Sequence, residues 1–143
     1  MVAALEKKTR IQSAYVNCWN NPSCHSVLDA LCHEFRILGA EARSVPHKLN
    51  KLHAAFAKDI VVLILDEIDR LPLRDRNDLL YAWAEAGNVG VVALSYRRDS
   101  YLQLDKRVRS RLNPLPVPFK AFTRSETEEI LRSRAAEGLL PDA

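Results

Sequence analysis

Apolar residues along this chain switch repeatedly between two kinds of spacing. Ser13-Ala14-Tyr15-Val16-Asn17-Cys18 is short and β-prone and is stopped by Asn20-Asn21-Pro22, the pattern of a strand running into a turn. Val27, Leu28, Leu31, Phe35 and Leu38 then recur at helical spacing. Asn21 is the expected N-cap of that helix, with Pro22 at its first position and Gly39 closing its end. Arg43 and Ser44 fall in a loop, and Pro46 opens a second helix with Leu49, Leu52 and Phe56 on one apolar face.

From Ile60 to Leu65 the apolar run is unbroken, which predicts a strand covered on both faces. A helix over residues 75–86 comes after it, carrying Leu79, Leu80 and Trp83 and ended by Gly87. Val89 to Leu94 repeats the buried-strand pattern. A basic helix over 104–112 comes next, then an extended piece, Leu115 to Val117, between prolines. Thr123-x-x-Glu126 and Ser125-x-x-Glu128 are overlapping capping boxes before a helix ending near Gly138. Residues 2–10 read as the end of a helix rich in Lys7, Lys8 and Arg10. Strands alternating with helices predict a parallel α/β sheet flanked by helices.

Composition narrows the class without changing that picture. With 143 residues, 48% of them apolar and 27% charged, the chain suits one globular domain rather than a disordered segment. Its longest strongly apolar run is far short of the roughly 20 residues of a membrane helix, and no signal peptide is apparent, so a soluble, cytoplasmic protein is expected. Three irregularly spaced cysteines, Cys18, Cys24 and Cys32, do not make a disulfide framework. His25 and His33 adjoin two of them, but no C-x-x-C pair is present; small buried thiols are the better reading than a metal site. A net charge of +3 is compatible with a nucleic-acid partner and does not require one. Tyr15, Trp19 and Trp83 fall in or beside core elements and are expected to pack, whereas Tyr96 and Tyr101 are expected to be exposed.

The chemistry gathers at Asp66-Glu67, two acids that end the apolar run. A buried strand delivers its next residues to the carboxyl edge of an open α/β sheet, where ligands bind. Adjacent carboxylates repel unless a cation or water network compensates, and a nucleotide-bound Mg²⁺ would do so. One acid would hold the metal shell while the other polarised an attacking water, the Walker B arrangement. The alternative is a strand ending in helix-capping or surface acids. The longer string Leu65-Asp66-Glu67-Ile68-Asp69-Arg70-Leu71 favours Walker B.

Four segments in order carry a family resemblance. They are Ala14 to Asn20, the acid-ended strand, Leu104-Asp105-Lys106-Arg107-Val108-Arg109-Ser110-Arg111-Leu112, and Phe119 to Arg132. On these the chain resembles the archaeal origin-recognition and cell-division-control replication initiators, a branch of the AAA+ ATPase superfamily. The resemblance spans about residues 10–135. It implies ATP and Mg²⁺ as cofactors and binding to double-stranded DNA at replication origins. By position, Asp66 would coordinate Mg²⁺, Glu67 would activate the hydrolytic water, and Arg111, with Arg107 second, would be the arginine finger. Arginine suits that role because its delocalised fork follows charge spreading over phosphate oxygens. A solvated basic face or contacts to DNA phosphates would equally account for Arg107, Arg109 and Arg111.

The sequence also departs from that family. Nothing approximates G-x-x-x-x-G-K-[ST], since the four glycines lie at 39, 87, 90 and 138. Tyr96 stands where the family carries an asparagine that senses the γ-phosphate, and residues 39–47 are a short connection. The expected organisation is therefore a partial AAA+ core over 1–120, without the first strand and Walker A loop, and the start of a helical lid over 121–143, with no winged-helix domain. The chain is expected to lack autonomous ATPase activity. Non-catalytic docking on a full-length AAA+ initiator is an alternative role, and a relic NTPase fragment from a mobile element is another. Loss of a central strand would leave sheet edges open and favour self-association or dependence on a partner.

Overall fold

The computed structural model describes residues 11–40 and 43–138. The first expected helix, over 2–10, lies outside them. Strand β1 (Ile11–Asn17) is followed by helices α1 (Cys24–Glu34) and α2 (Val45–Phe56), strand β2 (Ile60–Asp66), a 3-10 turn (Ile68–Arg70) and helix α3 (Leu73–Ala84). Strand β3 (Val89–Ala93), helix α4 (Lys106–Leu112) and helix α5 (Arg124–Gly138) complete the order. The three strands form one parallel sheet in the order β1-β2-β3, with β2 central. The α/β class with a helix-flanked parallel sheet is therefore as expected.

Parallel neighbours need a crossover, and right-handed crossovers moving in one direction across a sheet put their helices on one face. Here α1 packs on β1, α3 packs on β3, and the two helices touch each other. The core accordingly gathers on one side of the sheet. Ala14 and Val16 of β1 meet Val61, Leu63 and Leu65 of β2, and Leu28, Leu31, Leu79 and Trp83 close over them. Phe56 sits edge-on to Phe35 at 4.7 Å and tilts toward Trp83 at 5.8 Å, joining α2 to the same cluster.

Several expectations are corrected. Residues Ile60 to Leu65 are not covered on both faces. Burial alternates along β2, because among the described residues helices lie on one side only. Nor is Val89 to Leu94 a buried strand; among the described residues β3 ends the sheet, and Val92 and Leu94 are 46% and 41% exposed. Helix α1 is capped by Ser23, which exchanges hydrogen bonds with Ser26, rather than by Asn21. Asn21 instead donates to the Asn17 carbonyl and tightens the preceding turn. The same helix stops four residues earlier than its apolar spacing suggests. Arg36 takes a left-handed φ of 53°, which no helix interior accepts, and Leu38 points to solvent.

Other elements stand as read. Pro46 occupies the first turn of α2 behind Ser44. Trp83 and all three cysteines are buried, the cysteines as free thiols. Thr123 and Glu126 form the capping box that starts α5, whereas Glu128 pairs with Arg124 rather than capping. Residues 115–117 take no regular secondary structure and join no strand among the described residues, and α5 buries none of its side chains. No described helix is long and apolar enough to cross a membrane.

Candidate functional site

The parallel register aligns Asn17 with Asp66 and Tyr15 with Ile64, so the last residues of β1 and β2 emerge side by side. The chain then breaks sharply. Glu67 adopts a left-handed conformation, φ 52° and ψ 43°, before the 3-10 turn. For a residue with a Cβ this costs about 1 kcal/mol and persists only where the surroundings hold it.

Arg76 is one of the groups that hold it. Its side chain is 5% exposed and lies under the turn, where Nη2 donates to the carbonyls of Asp69 (3.0 Å) and Leu71 (3.1 Å). Burial lowers its pKa from the ordinary arginine value, opposed by the nearby Asp69 charge. From above, the Ile68 N–H donates to the Leu94 carbonyl at 3.0 Å, tying the turn to the end of β3.

Each acid of the pair is engaged. Asp66 Oδ2 accepts the Tyr15 phenol at 2.6 Å, and Oδ1 accepts the Glu67 backbone N–H at 2.9 Å. The hydrogen bond to Asp66 is the main cause of a raised Tyr15 pKa. Glu67 accepts from Arg70 Nε at 3.3 Å, and the Arg70 guanidinium lies over the Trp19 ring, 4.0 Å from its centroid. Tyr15 and Trp19 are thus not core residues; they are 56% and 57% exposed because β1 turns them to the open side of the sheet and its rim.

Asp66, Glu67, Asp69 and Arg70 share an open cleft of about 570 Å³ with Leu94, Ser95, Tyr96 and Arg97 from the end of β3. The structure therefore brings together three of the residues singled out by sequence: Asp66, Glu67 and Tyr96. The Tyr96 ring is 96% exposed, as expected, while its backbone N–H reaches Asp69 Oδ1 at 3.3 Å. Arg111 is not part of the cleft. On α4 it bridges to Glu85 Oε1 at 2.8 Å and lies over the Tyr81 ring at 5.1 Å. Arg107, on the same helix, is exposed.

Sequence reading passed over Tyr15, Arg70 and Arg76. Tyr15 was recoverable in part, since period two puts it on the face of β1 that also carries Asn17. Arg76 gave no signal, because a buried arginine looks like any other charge on the polar stripe of a helix.

The acid pair suits a hydrated Mg²⁺, since carboxylate oxygens with remaining lone pairs can accept from its water shell. A triphosphate finds less. None of the four glycines lies in the cleft, so no glycine-rich row of backbone N–H groups faces it. Its two arginines are already paired, Arg70 with Glu67 and Arg97 with Asp99. The described residues thus do not by themselves fit the β- and γ-phosphates of ATP.

No family model matches the chain. Curated relatives do. ORC1-type DNA replication protein 1 of Methanothermobacter thermautotrophicus is 26% identical over 98% of this chain, which spans 40% of that protein. Among solved structures, the Aeropyrum pernix ORC1 protein in complex with DNA superposes with a TM-score of 0.81 at 25% identity, over 95% of this chain and 38% of that one. The Aeropyrum pernix ORC2 protein, solved as ADPNP-ADP complexes, gives 0.71 at 19% identity, over 99% of this chain and 40% of that one, a likeness of fold. The chain thus spans about two-fifths of the length of these relatives.

Proposed function

We propose, from the premise that this chain is a homologue of the archaeal ORC1-type DNA replication proteins and carries part of their AAA+ fold, that it serves replication initiation as a non-hydrolysing element. The observation that carries this reading is the state of the acid pair. Asp66 and Glu67 sit at the carboxyl end of the central strand, where Walker B acids act, yet a phenol and an arginine hold them, and no described residue beside them cradles phosphates. Asp66 remains the candidate Mg²⁺ contact and Glu67 the candidate base. Tyr96, which lines the same cleft, is the candidate contact for a nucleotide delivered there. Metal would supply charge neutralisation there; what this chain supplies is the orientation of Asp66 by Tyr15 and of the turn by Arg76.

Binding of double-stranded DNA in the cytoplasm is part of the proposal. It is supported by the DNA-bound ORC1 relative and by the net charge of +3. Helix α4 supports a second role, docking on a full-length AAA+ initiator. Lys106, Arg107, Arg109 and Arg111 place four cations on seven residues, a surface suited to a polyanion such as a neighbour's nucleotide. Arg111 is the candidate finger, already oriented by Glu85, and Arg107 is the alternative. Residues 121–143, with the fully unburied α5, are proposed as the start of a lid separate from the core over 1–120.

The deciding experiment is titration of the purified chain with a fluorescent ATP analogue and Mg²⁺, with Glu67→Gln as control. No saturable binding by the chain alone, and a rise in nucleotide affinity above a full-length initiator's own level when the chain is added, lost with Arg111→Ala, is the expected result. Micromolar binding and turnover by the chain alone would overturn the reading. Duplex DNA binding that weakens with rising salt would support the DNA role.

A further inference from the structure

Resting on the reading of α4 as the surface that docks on a full-length initiator, we propose that one stripe of α3, formed by Asn77, Tyr81 and Glu85, positions Arg111 for a finger role. Asn77 fixes the start of α4, and Glu85 holds the guanidinium near its end.

The three residues are four apart, the spacing that stacks side chains on one face of a helix. They meet α4 in the order in which α4 runs. Asn77 Oδ1 accepts the backbone N–H of Asp105, where α4 begins, at 3.0 Å. The Tyr81 ring faces the Arg111 guanidinium at 5.1 Å, and Glu85 Oε1 accepts from Arg111 Nη1 at 2.8 Å. The two helices therefore lie side by side and run in the same sense. Leu104 and Val108 are buried in the core that α3 also joins, so apolar packing backs the polar contacts.

Burial singles out Asn77. A polar side chain taken out of water is costly unless it is bonded, and the buried polar or charged residues among the described ones are Lys48, Arg76 and Asn77. Two of these are neighbours on α3. Arg76 grips the turn behind Glu67, and Asn77 grips the backbone that opens α4. Asp105 forms no side-chain cap, so the start of that helix is fixed from α3 and not from within.

The length of α4 makes that bond matter. The helix has seven residues, and isolated helices shorter than about 12–15 residues are marginal in water. Its direction is set by what it touches. Arg111 lies six residues beyond Asp105, about 9 Å along the axis at a rise of roughly 1.5 Å per residue. A tilt of about 10° at Asp105 would carry Arg111 roughly 1.5 Å sideways, and a misplacement of about 1 Å can cost a positioned group on the order of a hundredfold in effect. The Glu85 pair cannot replace the anchor, because half-exposed ion pairs are weak. It biases where the guanidinium points and can still be exchanged for a phosphate.

The test compares the full chain with Asn77→Ala and with the isosteric Asn77→Asp, which keeps an oxygen acceptor. One readout is amide hydrogen exchange. The other is the rise in affinity of a full-length ORC1-type initiator for a fluorescent ATP analogue with Mg²⁺ when the chain is added. Asn77→Ala should speed exchange about fivefold at Arg109 and Asn113, whose N–H groups bond within α4 and at its end, the effect of losing one hydrogen bond. It should leave the strand amides protected as in the unsubstituted chain and remove most of the rise, and Asn77→Asp should restore both. Exchange unchanged in α4, or speeded equally in the strands, would overturn the proposal, the latter by showing that Asn77 serves the fold as a whole. A loosened α4 with the rise intact would overturn it too, while leaving the docking reading in place. An unsubstituted chain that produces no rise would overturn the docking reading and the proposal with it.

Discussion

The phenol of Tyr15 donates a 2.6 Å hydrogen bond to Asp66 Oδ2 across two neighbouring parallel strands. The contact links an exposed aromatic of β1 to the acid that ends β2, and it fixes where that carboxylate points. It also leaves a titration signature. Because the carboxylate accepts from the phenol, the Tyr15 pKa is raised above the ordinary 10.0. The stabilisation from this bond is therefore present below pH 10 and lost as pH rises through the higher folded value. Ultraviolet titration of the tyrosines should show one late-ionising phenol in the native protein and none in Asp66→Asn. An unchanged titration curve in that variant would break the link. Tyr15→Phe should leave the unfolding midpoint nearly unchanged, because the bond lost is exposed to solvent, while removing the late-ionising phenol.

Arg76 is a buried cation with two of its nitrogens, Nε and Nη1, lacking a protein partner, so its own burial is costly. Its hold on the Asp69 and Leu71 carbonyls offsets part of that cost. Arg76→Ala should destabilise the chain by roughly 2–3 kcal/mol, because two turn carbonyls lose their donor and a cavity opens beneath them. Urea unfolding measures this. A loss below about 0.5 kcal/mol, the level of an ordinary surface substitution, would show that the turn holds without it.

Lys48 is fully buried on α2, with its ammonium against Asp29 and His25 of α1. Removing the partner strands a charge; removing the charge does not. Asp29→Ala should therefore cost at least about 1 kcal/mol more than Lys48→Met, with the difference moderated because Asp29 is partly exposed. Equal losses in thermal or urea unfolding would indicate that packing alone, and not the ion pair, joins the two helices.

The thiols should be inert in the native state. Burial pushes Cys18 and Cys24 up to about 11 and raises Cys32 as well. Thiolate is the reactive form, so at pH 8 little reaction with a disulfide reagent is expected until the chain unfolds, when all three should react. Since the folded values are raised, these thiols favour folding at and below their ordinary pKa of 9.0, and that contribution disappears as pH rises through about 11. Rapid native-state modification of Cys18 would contradict its burial.

The class of fold was legible because it depends on local period. The apolar run before Asp66, the helical spacing of Leu79, Leu80 and Trp83, and the Thr123–Glu126 box each act within a few residues, and each appears in the structure. The acid pair was legible for the same reason, since a buried strand must deliver its next residues to the sheet edge. What failed were statements about which face meets what. An unbroken run such as Ile60 to Leu65 satisfies a strand buried on one face as well as on two, and only the placement of α1 and α3 on a single side chose between them. Helix α1 ended early at Arg36 although Phe35 and Leu38 kept helical spacing, because chain reversal toward α2 outweighed the pattern.

The sequence by itself determined the alternation of strands and helices and the two acids at the end of β2, both consequences of neighbours along the chain. Tertiary structure alone decided that Tyr15 grips Asp66, that Arg76 props the turn behind Glu67, that Arg111 turns to Glu85, and that the sheet ends at β3 among the described residues. The three side-chain contacts join residues 51, 7 and 26 positions apart, and they depend on a register and a choice of face that no local pattern encodes.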